Sequence, residues 1–203
     1  MKEYACDGIF MDALLQTTNP KWVRMGWGRG KESKVTRAVV DMIRQAKKKM
    51  GNDAILLYNG LRSSDRNRTM KGAQFLAHAD GAAIEHFGAF QSRTKESIAR
   101  DIEAISKTGK AGKIVVVKAW PDPQFNWTNK TKMKLPAAKL AKEAREKITF
   151  PLACFLVAAQ ENSYFCYSWG YREQHGGLIE YPELNKPLGK PKGDATKKQW
   201  VYT

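Results

Sequence analysis

The sequence predicts an α/β fold of parallel strand–helix repeats, and three observations carry that prediction. Five short apolar runs recur along the chain, none alternates cleanly with period two, and each is followed by a polar loop and then helical periodicity. Runs apolar on both faces are what a parallel sheet buried on both sides requires. Helices between them supply the crossovers that parallel strands need.

The runs are "GIFMD" (8–12), "AILLYN" (54–59), "GAAIEH" (81–86), "KIVVVKAW" (113–120) and "SYFCYSW" (163–169). After Ser33, read as an N-cap, Val35, Val39, Met42, Ala46 and Met50 repeat at helical spacing until Gly51. A short helix is expected over about 70–79, around "MKGAQFLAHA". Ile98, Ile102 and Ile105 form the next apolar stripe, with Gly109 as its stop. "PAAKLAKEAREK" opens on a helix-starting proline, and "FPLACFLVAAQ" continues as a more apolar helix, kinked or restarted at Pro151. The stretch 13–33 reads as a long loop, in which Trp22 and Trp27 are either a substrate platform or a packed lid; Trp127 has the same two readings.

Five βα units fit in 203 residues, whereas a complete (β/α)₈ barrel takes about 250. An open doubly wound sheet or a partial (β/α)₈ TIM barrel remains. No strand is followed by a GxGxxG or GxxxxGK[ST] turn, which counts against a nucleotide-binding open sheet. "GWGRGKES" (26–33) is Gly-rich and basic but follows a loop instead of a strand.

Composition bounds the chemistry. Thirty-five Lys+Arg against 20 Asp+Glu give a net charge of +15, a field that favours anionic partners. These cations lie within helical patterns such as "KKKM" and "KLAKEAREK", not interleaved with aromatics, so nucleic acid is not expected as a partner. Cys6, Cys154 and Cys166 have no CxxC spacing and read as buried free thiols, with neither a disulfide framework nor a metal site. No cofactor is expected. No apolar run approaches a membrane span, and no membrane partner is expected.

Parallel α/β folds gather ligands where their strands end. Here the ends carry Asp12, then Asn59, then Glu85 and His86, then Lys118 and Trp120, then Tyr167 and Trp169. Two carboxylates, an amide, a cation and several aromatics at matching positions suit a sugar. Aromatic faces stack on pyranose C–H patches, and Asn59, His86 and Lys118 orient hydroxyls or an anionic substituent. Asp12 and Glu85 are the candidate catalytic pair, because two carboxylates flanking a glycosidic bond can act as acid and as nucleophile or base.

"CDGIFMDALL" resembles the first Asp-bearing strand motif of TIM-barrel glycosyl-hydrolase-like families related to the endo-polygalactosaminidase-like group. "DGAAIEHFG" resembles their later Glu-bearing strand, and "YPELNKPLGKPKGDA" with "QWVYT" resembles the segment after their last barrel strand. The resemblance implies strands four to eight of a barrel in one domain, 1–203, cut at both ends. It also implies that Asp12 and Glu85 match the family's catalytic carboxylates, that the substrate is a polysaccharide or oligosaccharide (anionic ones included), and that the protein is secreted or periplasmic. Two rivals stand beside this reading: a non-catalytic carbohydrate-binding relative, and a basic polyanion-binding α/β protein.

Overall fold

The computed structural model describes residues 6–62 and 71–202. Five parallel strands form one sheet: β1 (Gly8–Met11), β2 (Ile55–Asn59), β3 (Gly81–Phe87), β4 (Ile114–Ala119) and β5 (Ser163–Tyr167). Their order in space is their order in sequence. A doubly wound sheet reverses its strand order at a switch point, and this one does not. Successive crossovers of one hand therefore lay the helices on one face. That is the winding of a barrel segment, and among the described residues the sheet stays open between β1 and β5.

The helices follow from their sequences with some shifts. The first long helix, α3 (Glu32–Met50), begins one residue before Ser33, with Lys31 in the cap position, and ends at Gly51, whose φ of 84° only glycine adopts without strain. Helix α4 (Lys95–Lys110) starts from a reciprocal Thr94–Ser97 capping box. Gly109 lies inside α4 and does not stop it; a Cβ there would meet the Gln160 side chain at 2.6 Å, so this glycine serves close packing. Helix α5 (Ala137–Lys147) follows Pro136, and α6 (Thr149–Leu156) restarts just before Pro151, which occupies the first turn where no N–H is required. The stretch expected as loop folds into α1 (Leu14–Thr17) and α2 (Pro20–Trp27), the latter capped by the Asn19 side chain. Of the helix expected over 70–79 only a single 3₁₀ turn forms, Ala73–Phe75; residue 70 lies outside the described residues.

The core lies between the sheet and its helices. Leu56, Tyr58, Ala82, Ile84, Val115, Val117 and Ala119 point that way and are buried with Ile43 of α3, Ile102 and Ile105 of α4, and Leu140 and Ala144 of α5. The other face is not covered as the sequence predicts: Phe10, Ile55 and Tyr164 are 53%, 40% and 56% exposed. Their apolar character reflects a face built for burial, while every described helix is committed to the opposite one. Cys6 and Cys166 are likewise exposed and not buried; Cys154 is intermediate. Among the described residues no helix is long and apolar enough to cross a membrane.

Candidate active site

Side chains alternate between the faces of a strand, and register decides which of them meet. Phe10 pairs with Leu57 and Asn59 with Ala83. Asp12, Asn59 and Glu85 therefore share the face turned away from the helices. Val116, paired with Ala83, puts Lys118 on that face too. A register irregularity between Ile84 and Phe87 bends β3 at Glu85, as bulges beside functional sites commonly do.

Asn59 joins the two carboxylates. Its Nδ2 donates to Asp12 Oδ1 and to Glu85 Oε2, each at 2.9 Å. Carboxylates only accept, so the amide must turn its NH₂ toward them. The two accepting oxygens, each 2.9 Å from the same nitrogen, therefore lie no farther apart than twice that distance. Asp12 Oδ1 also accepts from the Ala13 N–H at 2.7 Å, and Ala13 sits in the left-handed region at φ 59°. Non-glycine residues pay about 1 kcal/mol or more for that conformation, so the turn that aims Asp12 is held under strain.

Glu85 has the richest surroundings. Besides Asn59 it has Tyr171 as a neighbour, whose phenol is held protonated first by burial and then by this carboxylate, while an Arg62 guanidinium nitrogen lies 3.6 Å away as an ion pair without a hydrogen bond. Its own carbonyl accepts from Trp120 Nε1 at 2.8 Å, tying the backbone of the bulge to β4. His86 lies beside it, with Nε2 3.6 Å from Glu85 Oε2 and Nδ1 3.1 Å from Gln91 Oε1. Burial, reinforced by Arg62, holds the imidazole below its ordinary value and therefore neutral near pH 7. Lys118 donates to the carbonyls of Ala119 (3.0 Å) and Ser168 (2.7 Å), and its Nζ lies 3.7 Å from the centre of the Trp120 ring. Two of its three N–H bonds are thus committed to the strand ends, and burial lowers its pKa to about 8.

Three aromatics expected at the site are elsewhere or covered. Tyr167 faces the helices, its hydroxyl donating to the Ala144 carbonyl at 2.8 Å. Trp169 is 1% exposed and packs on Phe125 within the core. Trp120 is at the site but also 1% exposed, so it offers no face to a ligand. It supports other rings instead: Trp127 lies tilted by 30° at 5.1 Å, Phe90 edge-on at 5.5 Å and Tyr171 edge-on at 5.6 Å. Trp127 and Tyr171 touch each other at 4.7 Å, and Tyr171 is 53% exposed.

Reading strand ends alone misses Arg62 and Tyr171. Arg62 follows β2 by three residues and Tyr171 follows β5 by four, in "SWGYR"; scanning a full turn beyond each strand finds both. Among the described residues no group of three His, Cys, Asp or Glu side chains gathers as a metal ion would require.

A singly wound parallel α/β sheet with two carboxylates bridged at the ends of its first and third strands is a frame on which paired-carboxylate hydrolysis can be built. The comparison with protein families is in accord. A family model described as hypothetical glycosyl hydrolase family 15 matches residues 1–203, and the chain belongs to that family. No curated protein matches the sequence.

Proposed function

We propose that this protein hydrolyses glycosidic bonds of a polysaccharide with retention of anomeric configuration, using Glu85 as nucleophile and Asp12 as acid/base. The observation that carries the proposal is the single Asn59 nitrogen hydrogen-bonded to both carboxylates. Two oxygens held 2.9 Å from one nitrogen favour the about 5–5.5 Å spacing of retaining enzymes over the about 6.5–9.5 Å that leaves room for water in inverting ones.

The roles divide by environment. Glu85 meets an amide donor and a guanidinium, surroundings that orient a carboxylate and suit the nucleophile. Asp12 stands at the sheet's edge strand with Oδ1 engaged by Asn59 and Ala13, leaving Oδ2 to carry the mobile proton. In the first step Glu85 attacks the anomeric carbon and the C–O bond to the leaving sugar breaks as Asp12 protonates its oxygen. In the second, Asp12 takes a proton from water, whose oxygen attacks the same carbon and releases Glu85. Arg62, Lys118 and the +15 net charge favour a polymer bearing carboxylate or sulfate groups. Kinship with the endo-polygalactosaminidase-like group belongs to this proposal.

Substituting Asp12→Asn and Glu85→Gln tests it on a panel of soluble polysaccharides and dinitrophenyl glycosides. Each change is expected to lower turnover by about 10³-fold or more, the usual scale for removing a nucleophile or an acid/base. With dinitrophenyl glycosides, whose leaving group needs no proton, D12N should spare the first step and slow only the second. Hydrolysis at the wild-type rate in both variants contradicts the assignment.

A further inference from the structure

The turn after β3 is built around His86. Gly88 and Phe90 both stand in the left-handed region, at φ 81° and 52°, and the second is strained because phenylalanine carries a Cβ. The Ala89 N–H donates to the His86 carbonyl at 3.2 Å, and the Ser92 N–H donates to the Ala89 carbonyl at 2.9 Å. Folded back in this way, the turn lays the Phe90 ring against the imidazole, with centres 4.4 Å apart, and brings Gln91 Oε1 within 3.1 Å of His86 Nδ1. An amide oxygen only accepts, so Nδ1 carries the proton of the neutral ring and Nε2 turns its lone pair toward Glu85. Two acceptors then face each other. Their separation of 3.6 Å, longer than a hydrogen bond, is the stand-off that two lone pairs keep.

We propose that His86 is a positioning residue governing the charge of the nucleophile: Nε2 and Glu85 Oε2 form a site for one shared proton, open while the enzyme works and filled as pH falls. The inference rests on the glycosidase reading for its kinetic half only. Once protonated, Nε2 donates to Oε2, the oxygen that already takes the Asn59 N–H and faces Arg62. A carboxylate whose charge is tied up in this way attacks poorly, and the added proton belongs to the pair, not to either residue. Arg62, beyond β2, and Lys118 of β4 oppose a proton on the ring, Glu85 favours it, and Asp101 of α4 borders the same small void as Arg62, His86 and Gln91. Burial weighs most, and with Arg62 it holds the imidazole below its ordinary value. The site therefore stays open at neutral pH and fills only below about 6.5, the ordinary midpoint of a histidine. With 16% of its side chain exposed, His86 works through Glu85 instead of on the sugar.

The experiment combines a titration that needs no substrate with kinetics that do. Long-range proton–nitrogen NMR of the three histidines, with H86N to assign the signal, reads the ring directly. At pH 8 His86 should be the Nδ1–H tautomer, and Gln91→Leu should release it toward the Nε2–H form. Glu85→Gln should lower the His86 midpoint by about 1 pH unit or more, because the carboxylate that favours the proton is gone. On dinitrophenyl glycosides, the acid limb of kcat/KM reports the free enzyme. That limb should coincide with the His86 midpoint in the wild type and lie about 1 pH unit or more lower in H86N, where Glu85 titrates alone. An Nε2–H tautomer in the wild type, a His86 midpoint that E85Q leaves in place, or an acid limb that H86N leaves in place overturns the proposal. A wild-type protein inert on every glycoside counts against the glycosidase reading instead, and the NMR titration still decides whether His86 and Glu85 share a proton.

Discussion

Asn59 is the residue on which the site's geometry turns. Replacing it with alanine removes the group bonded to both carboxylates among the described residues, and kcat on an activated glycoside is expected to fall about 100-fold, as for loss of a preorganised donor. Asn59→Asp is the harsher change, since it sets a third carboxylate against two. The new acid should hold its proton to higher pH when folded than when unfolded. Its penalty is then present at pH 7 and relieved as pH falls through the raised value. Melting temperatures of N59D should accordingly rise from pH 7 to pH 5 relative to wild type. Lys118 gives the opposite test. Its pKa is lowered in the fold from 10.5 to about 8, so between those values the unfolded chain binds more protons and stability rises with pH. K118M should lack that rise in denaturant titrations across the interval. Asp12, Asn59, Glu85 and Lys118 were legible in the sequence because each ends an apolar run, and alternation from there determines the face. Trp120, Tyr167 and Trp169 were misread for the same reason inverted: an end position says nothing of whether a large ring turns to solvent or to the core.

At the scale of elements, two small residues carry more than their size. Gly81 opens β3, and a Cβ there would meet the Ile114 carbonyl oxygen at 2.2 Å, a backbone atom that cannot swing aside. Gly81→Ala is expected to cost about 3 kcal/mol, read as a shift in the urea midpoint, by forcing β3 away from β4. Thr94→Ala removes one arm of the capping box of α4 and should cost about 1 kcal/mol. The five strands could be located to within two residues because apolar runs bounded by Gly, Asp and Asn leave little choice of register. Helix α2 was hidden by its short length, though "NP" at 19–20 is a cap followed by a first-turn proline. Gly109 was misleading because a glycine needed for contact with Gln160 looks, in sequence, like a helix stop.

The whole molecule has one face finished and one exposed. Parallel sheets are ordinarily covered on both sides, yet Phe10, Ile55 and Tyr164 lie open on the side that carries Asp12, Asn59 and Glu85. The protein should bind a hydrophobic dye and self-associate, and Phe10→Lys with Tyr164→Lys should reduce both without lowering the melting temperature. The same face brings the distant strands β1 and β3 together at one amide, and the double-displacement chemistry we propose rests on that meeting. The most direct test is covalent trapping. After incubation with a glycosyl fluoride bearing fluorine at the second sugar carbon, which slows release of the intermediate, peptide mapping by mass spectrometry should find one added sugar on the peptide containing Glu85 and none in E85Q. A label on Asp12 or any other residue, or turnover that inverts the anomeric centre, would contradict the assignment.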